Sequence, residues 1–322
     1  MRLFITGGAG FIGSNYVRHV LDTTDDEVTV FDALTYAASP ETLRDLEDHP
    51  RFRFVLGDIC DRQAVRNALS GHDAVVHFAA ESHVDRSLLD PDVFVRTNCS
   101  GTNVMCDEAV AAGVQRFLHI STDEVYGSIE EGSFAEADRL SPRSPYSAAK
   151  AGSDLIALAY HETHGLPVVV TRSSNQYGPY QFPEKLIPFF VTRLLSDQKV
   201  PLYGDGLNVR DWLFVRDNCR GVDLVLREGE VGEIYNIGGG NERTNREVTD
   251  LLLGVLGKDE SSVEYVEDRL GHDRRYSITT DKVAALGWRP DTAFEDGLAE
   301  TVAFYLDRRD WWQPLVERVR NR

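Results

Sequence analysis

Cysteine is scarce in this chain. The 322 residues hold four, Cys60, Cys99, Cys106 and Cys219, and none stands in a CxxC pair or at zinc-ligand spacing. A chain of this size builds a core without disulfide staples, so free thiols are expected and a disulfide framework is excluded. Long apolar runs are missing as well: no stretch approaches the roughly 20 residues a membrane span requires. Strand-like sequence begins within two residues of Met1, leaving no room for a signal peptide, so a cytoplasmic location without a membrane partner is expected. Positive charge is in deficit, with 34 Lys+Arg against 52 Asp+Glu and a net charge of −18. Such a molecule repels phosphate backbones, which argues against nucleic acid as a partner. A phosphate-bearing ligand must instead be held by a local cluster of donors. No internal repeat or low-complexity segment interrupts the chain. The remaining composition, 42% apolar and 27% charged, is that of an ordinary globular protein of one or two domains.

The first half alternates short β-branched runs with amphipathic stretches. The runs are Arg2 to Thr6, Val28 to Asp32, Phe52 to Gly57, Ala74 to Ala79, Phe117 to Ser121 and Val168 to Thr171. Strands separated by helical patterns such as Val104 to Ala112 predict an α/β fold, a doubly wound parallel sheet of Rossmann type. After Arg172 the rhythm breaks into segments rich in Pro, Tyr and Gly, and Glu233 to Ile237 reads as a strand returning to the sheet. The expected division is therefore interleaved: residues 1–174 plus about 207–240 as the dinucleotide-binding domain, and 175–206 plus about 241–322 as a smaller α/β substrate-binding lobe.

The first predicted strand ends in Thr6-Gly7-Gly8-Ala9-Gly10-Phe11-Ile12-Gly13, which satisfies both GxGxxG and GxxGxxG. Glycines there permit a tight turn, admit a pyrophosphate to the backbone and let the following helix point its N-terminus at the anion. Asp32 closes the second strand 19 residues beyond Gly13. An acid at that place accepts both hydroxyls of an adenosine ribose and repels a 2′-phosphate, so NAD is the expected cofactor. Asp58-Ile59, at the end of the third strand, reads equally as a border of the adenine site or as a helix cap.

In an open parallel sheet the ligand sits at the carboxyl ends of the strands. Three clusters fall there: Ala79-Ala80-Glu81-Ser82-His83, Ser121-Thr122-Asp123-Glu124 and Tyr146 to Lys150. Tyr146 and Lys150, four residues apart, share one face of a helix. A phenol titrates near pH 10 and needs a neighbouring cation to serve as a base at neutral pH. Asp123 and Glu124, adjacent after a strand with no arginine beside them, repel one another and can hold one proton between them. One neutral acid and one ionised base is what an elimination of water requires. His161-Glu162-Thr163-His164 is not HExxH and reads as a polar helix end before Gly165, so no metal site is expected.

Together these motifs resemble the nucleotide-sugar 4,6-dehydratases of the extended short-chain dehydrogenase/reductase superfamily. The resemblance runs from the Gly7 loop to Trp311-Trp312, and its most specific strings are AAESHVDRS (Ala79 to Ser87), STDEVYG (Ser121 to Gly127), YSAAK (Tyr146 to Lys150), FPEKLIP (Phe182 to Pro188), VRDWLFV (Val209 to Val215) and GHDRRYS (Gly271 to Ser277). It implies that Tyr146, assisted by Lys150, takes the proton of the sugar 4-hydroxyl as C4 is oxidised. Glu124 then removes the C5 proton, Asp123 protonates the departing 6-hydroxyl, and Thr122 hydrogen-bonds the sugar near C4. The implied cofactor residues are Gly7, Gly10, Phe11, Ile12, Gly13, Asp32, Thr35, Asp58, Ile59, Ala79, Ala80, Thr97, Tyr146, Lys150 and Gln176. For the nucleotide sugar, dTDP-glucose being the one implied, they are Ser82, His83, Asn175, Glu184, Lys185 and Leu186, then Pro201 and Tyr203 against the base, Arg210 with Asn245 at the diphosphate, and Asp268, Arg269 and His272. A homodimer through paired helices, Val93 to Gly113 and the one starting at Tyr146, is also implied.

The chain departs from the family pattern in places. It reads Ser174-Asn175-Gln176-Tyr177-Gly178 where Ser-Asn-Asn-Tyr-Gly is usual; Gln181 replaces a usual histidine, Leu270 a usual proline, and Ala38-Ser39 a Gly-Asn. Three alternatives stay open at this point: UDP-glucose as the substrate, a 4-epimerase or decarboxylase on the same scaffold, and a non-catalytic NAD-binding sensor. Asp123-Glu124 separates the dehydratase from the epimerase and decarboxylase, whose chemistry needs no acid and base at C5 and C6.

Overall fold

A computed structural model describes residues 1–268 and 273–320. Its main sheet has seven strands: β1 (Arg2–Thr6), β2 (Glu27–Asp32), β3 (Phe52–Leu56), β4 (Ala74–His77), β5 (Arg116–Thr122), β6 (Val168–Ser173) and, after an excursion, β10 (Ile234–Ile237). They lie in the order β3-β2-β1-β4-β5-β6-β10, every neighbour parallel. Parallel strands need crossovers, and the crossover helices cover both faces. Alternation of side chains explains why both faces are apolar. Leu3, Ile5, Val28 and Val30 point to one face with Tyr16, Val17 and Val20 of helix Phe11–Thr23. Phe4, Phe31, Val75 and Phe117 point to the other, against Val65, Met105 and Ala109. The order reverses between β1 and β4, which makes that crevice the switch point where such sheets bind ligands.

The expected strands all form, with shifted ends. β4 stops at His77 instead of Ala79, because Ala79 N–H leaves the ladder to donate to Thr6 Oγ1 at 3.2 Å. The helical run expected from Val93 to Gly113 is not uniform. It opens as Pro91–Phe94, widens into a π-helix over Val95–Gly101, and continues as Thr102–Ala112 to the left-handed Gly113. The widening turns Asn98 onto Glu81, where its side-chain amide bonds both the backbone N–H (2.8 Å) and C=O (3.0 Å). All four cysteines are free, as expected. No helix among the described residues is long and apolar enough to cross a membrane.

Two small sheets carry the rest. The three strands β7 (Asn175–Tyr177), β9 (Val209–Phe214) and β11 (Glu242–Thr244) pair in the order β11-β9-β7, and β8 (Val200–Tyr203) pairs with β12 (Val263–Val266). Their side chains share a second core with the helices Leu186–Leu194, Asn245–Val255 and Phe294–Asp307. Phe294 is its hub: its ring lies 5.0 Å from Tyr177 and 6.4 Å from Trp212, and its carbonyl accepts the Tyr177 hydroxyl at 3.1 Å. Phe294→Ala is therefore expected to cost about 3–5 kcal/mol of stability, read as a lower urea midpoint; an unchanged midpoint would contradict this packing.

Candidate active site

The glycine loop follows β1. Gly7 is left-handed (φ +70°), and a Cβ there would lie 2.6 Å from Ala79 N; at Gly13 one would lie 2.3 Å from Gly7 O. Neither position tolerates a side chain. Gly10 caps the helix with no side-chain bond, and no acid stands in the first turn, so that positive helix end is open to an anion. Asp32 closes the loop by accepting Ala9 N–H at 2.9 Å and Leu34 N–H at 2.8 Å, while burial pushes its carboxyl up. Each oxygen keeps a second lone pair for a ribose hydroxyl. Thr35 follows on the surface, and Thr97 lies on the π-helix. At the end of β3, Asp58 accepts Cys60 N–H at 2.8 Å and pairs with Arg96 at 2.9 Å, and Asp61 is the residue that caps the next helix. Ile59 packs its side chain into the core.

The ends of β5 and β6 converge with helix Pro145–His164. Asp123 is 2% exposed, and burial, then the charges of Glu124 and Asp211, push its carboxyl well above the carboxylate range. The sequence shows no arginine beside the pair, but folding brings Arg210 close enough to oppose that rise. Desolvation outweighs it. Tyr146 is raised by burial and by Glu124, against which a hydrogen bond with Thr122 acts. Lys150, one turn on, is pulled down to about 8 by burial, and its ammonium donates to Ile120 O at 2.6 Å. Burial thus holds the Tyr146 phenol up despite the neighbouring lysine, so the phenolate would need the nicotinamide cation as well.

On the lobe side, the β11–β9 register sets Arg243 opposite Arg210, and Asn245 N–H, just past β11, donates to Asn208 O at 3.0 Å. Arg210 lies 4.4 Å over the Tyr276 ring and donates to Val209 O (2.7 Å) and Asp273 O (3.0 Å). Asp211 turns away to the Gly239 and Asn241 amides. Pro201 and Tyr203 lie on β8, and Gly204 brings Asp268 beside them, 3.3 Å from where its Cβ would sit. Arg269 and His272 lie outside the described residues.

Glu184 and Lys185 tie the lobe to the main sheet just before helix Leu186–Leu194, which Leu186 opens. Lys185 Nζ donates to Ser82 O at 2.7 Å, and Glu184 accepts Tyr36 OH at 2.8 Å and Arg86 Nε at 3.0 Å, with Arg86 stacked 3.9 Å over the Tyr36 ring. His83 caps the helix Val84–Leu89 through its ring nitrogen. Sequence reasoning missed Tyr36 and Arg86. Arg86 stood in the AAESHVDRS string, but its partner is 98 residues away. Two departures from the family pattern also meet: Gln181 Nε2 donates to Gln176 O at 2.9 Å.

Buried polar atoms without a hydrogen-bond partner include Asp123 Oδ2, Asn175 Oδ1, Gln176 Oε1 and Asn245 Oδ1. Native folds leave few such atoms, and these four belong to residues expected at a ligand. That, with the open helix end and Asp32, fits NAD and a polar second ligand. Among the described residues no group of three His, Cys, Asp or Glu side chains is placed to hold a metal.

Because the folded-state pKa of Asp123 lies above its unfolded one, its ionisation opposes folding. The penalty is absent below the unfolded value, about 3.9, and grows as pH rises above it. Asp123→Asn is expected to raise the thermal midpoint, by more at pH 7 than at pH 5. A gain independent of pH would contradict a neutral buried acid.

A family model described as GDP-mannose 4,6 dehydratase matches residues 4–301. A dTDP-glucose 4,6-dehydratase of Streptomyces griseus is 56% identical over 98% of this chain and 97% of its own. The low-salt glycan biosynthesis protein Agl12 of Haloferax volcanii is 54% identical over 95% and 99%. The crystal structure of a dTDP-glucose 4,6-dehydratase from Streptomyces venezuelae, with NAD and dTDP bound, superposes with a TM-score of 0.96 at 57% identity, over 98% of this chain and all of that one. The chain belongs to the nucleotide-sugar 4,6-dehydratases, the family that holds the dTDP-glucose 4,6-dehydratases.

Proposed function

We propose that this chain is an NAD-dependent lyase that converts dTDP-glucose to dTDP-4-keto-6-deoxyglucose and water. The observation that carries this reading is Asp123, buried beside Glu124 with its carboxyl pushed well up by burial and by that neighbour, close to Tyr146. Oxidation or epimerisation at C4 needs the tyrosine alone; only loss of water from C5 and C6 uses a proton donor and a proton acceptor together. The likeness to dTDP-glucose 4,6-dehydratases over nearly the whole chain supports it further.

Asp32 would hold the adenosine ribose of NAD, the amides of Gly10 to Gly13 its diphosphate, and Tyr146, Lys150 and Gln176 its nicotinamide end. When bound, NAD would supply the hydride acceptor for C4 and the hydride donor for C6, and its positive charge would favour the Tyr146 phenolate. Tyr146 takes the C4 hydroxyl proton, Thr122 orients that hydroxyl, Glu124 removes the C5 proton made acidic by the C4 ketone, Asp123 gives its proton to the C6 oxygen, which leaves as water, and Glu124 returns its proton to C5 as hydride is restored at C6. Arg210 and Asn245 would bind the diphosphate, a local cation within a −18 chain. Residues 1–174 with about 207–240 would carry most of the cofactor site and the remainder most of the nucleotide site, with Gln176 and Arg210 each reaching across that division. A homodimer through the predicted helices is supported by apolar side chains left on their surfaces, Val95 at 53% and Leu155 at 59% exposure. Four free thiols support a reducing compartment, the cytoplasm.

Purified protein given dTDP-glucose or UDP-glucose should release an alkali-absorbing product 18 mass units lighter (about one water lost) from the dTDP sugar first. Preference for UDP-glucose would overturn the base assignment, and no loss of mass from either would overturn the dehydratase. Glu124→Gln should lower dehydration by about 10²–10⁴-fold while reduced cofactor still forms in a single turnover. Tyr146→Phe should abolish that reduction; its survival would remove Tyr146 as the base.

A further inference from the structure

Beneath the proposed catalytic pair lies a buried charged cluster that the reaction does not touch. Asp154 is one helical turn beyond Lys150 on the same face, and it is fully buried. Its Oδ2 accepts Arg172 Nε at 3.0 Å, and its Oδ1 lies 3.2 Å from His119 Nε2. Arg172 comes from β6, donates to Tyr126 OH at 2.8 Å, and Tyr126 OH in turn donates to Asn236 Oδ1 on β10 at 2.9 Å. His119 comes from β5, one residue before the carbonyl that receives the lysine ammonium. The cluster thus anchors the helix of Tyr146 and Lys150 to the strands β5, β6 and β10.

We propose that Asp154 is a positioning residue for the oxidation step, keeping the Lys150 ammonium charged and aimed at Ile120 O while touching neither cofactor nor substrate. This rests on the role given to Tyr146 and Lys150 above. The electrostatics are asymmetric. Burial disfavours the Lys150 cation, and the groups facing it are mixed in sign: Asp154 and Cys99 favour its charge, while it disfavours protonation of His77 on β4 and His119 on β5. Tyr146, on the same helix, and Arg172 complete the surroundings. Both histidines are pushed down chiefly by burial and stay neutral at pH 7. Burial pushes the Asp154 carboxyl up, but His119 beside it, the Arg172 charge and Lys150 together outweigh burial and hold it below the usual carboxylate range, so that it is the negative charge of the cluster. An uncompensated charge buried this way is costly. Here the Asp154 charge is shared between Arg172 and the lysine.

The chain contains only five lysines, Lys150, Lys185, Lys199, Lys258 and Lys282, so the Lys150 titration can be followed directly by NMR of protein labelled at lysine Cε, without substrate. A transition near pH 8 is expected for the unaltered protein. Asp154→Asn should move it down by about one pH unit or more, since one nearby opposite charge shifts a pKa by about 1–3 units. In single-turnover oxidation the same variant should lose activity as pH rises through the lowered lysine pKa, with KM unchanged. Arg172→Gln, which leaves Asp154 in place but removes its other cation, should move the transition the opposite way, to higher pH, and decides the matter if Asp154→Asn does not fold. General damage to the core would move both variants alike. A Lys150 transition unmoved by either substitution, or moved the same way by both, overturns the positioning role. A normal titration response with no activity at any pH would instead overturn the reading of Tyr146 and Lys150 as the oxidising pair.

Discussion

Desolvation of ionisable groups at the carboxyl ends of β5 and β6 is the constraint on which this molecule turns. Asp123, Tyr146, Lys150 and Asp154 are all buried, and burial is the largest single influence on the titration of each, outweighed only at Asp154 by the sum of its partners. Water would return each to its ordinary behaviour: an ionised aspartate, a phenol near pH 10, an ammonium titrating above it. Burial reverses the first and brings the last toward neutrality. The doubly wound sheet supplies that dry environment cheaply, because strands covered on both faces end in a crevice that helices and the second lobe close over.

The lobe does more than form the proposed nucleotide site. Glu184 joins Tyr36, after β2, to Arg86, after β4, and Lys185 reaches the Ser82 carbonyl. These contacts cross the switch point, so the loops that flank the cofactor crevice are held by residues from the other core. At the far end, Trp311 Nε1 donates to Thr42 Oγ1, beyond β2, at 3.0 Å. The interleaved chain path follows from this: a lobe inserted between β6 and β10, and resumed after β10, is tied at both ends to the sheet it covers.

Much of the fold was legible because its signals are local. The glycine loop, Asp32 and the β-branched runs reflect backbone geometry and burial that neighbours in sequence impose, and six of the seven strands of the main sheet fall where short apolar runs occur in the first half. The ends were less legible. β4 ends early because of a hydroxyl 73 residues away, and the helix expected from Val93 widens into a π-helix around Asn98, whose partners lie on another loop. Among the proposed site residues, Asp123, Glu124, Tyr146 and Lys150 announced themselves by spacing and by adjacency to strand ends. Tyr36, Arg86, Asp154 and Tyr276 did not, since each matters through partners or surroundings that spacing does not reveal.

By itself the sequence determined the sheet type, the cofactor class and the residue types of the chemistry, because periodicity, a glycine turn and adjacent carboxylates are properties of short segments. Only the tertiary structure decided which group is neutral and which is charged. It brought Arg210 toward Asp123 while burial still pushed that carboxyl up, sent the Lys150 ammonium to a strand carbonyl, and placed Asp154 between a histidine and an arginine. Protonation depends on burial and on charges gathered from distant segments, and neither exists until the chain is folded.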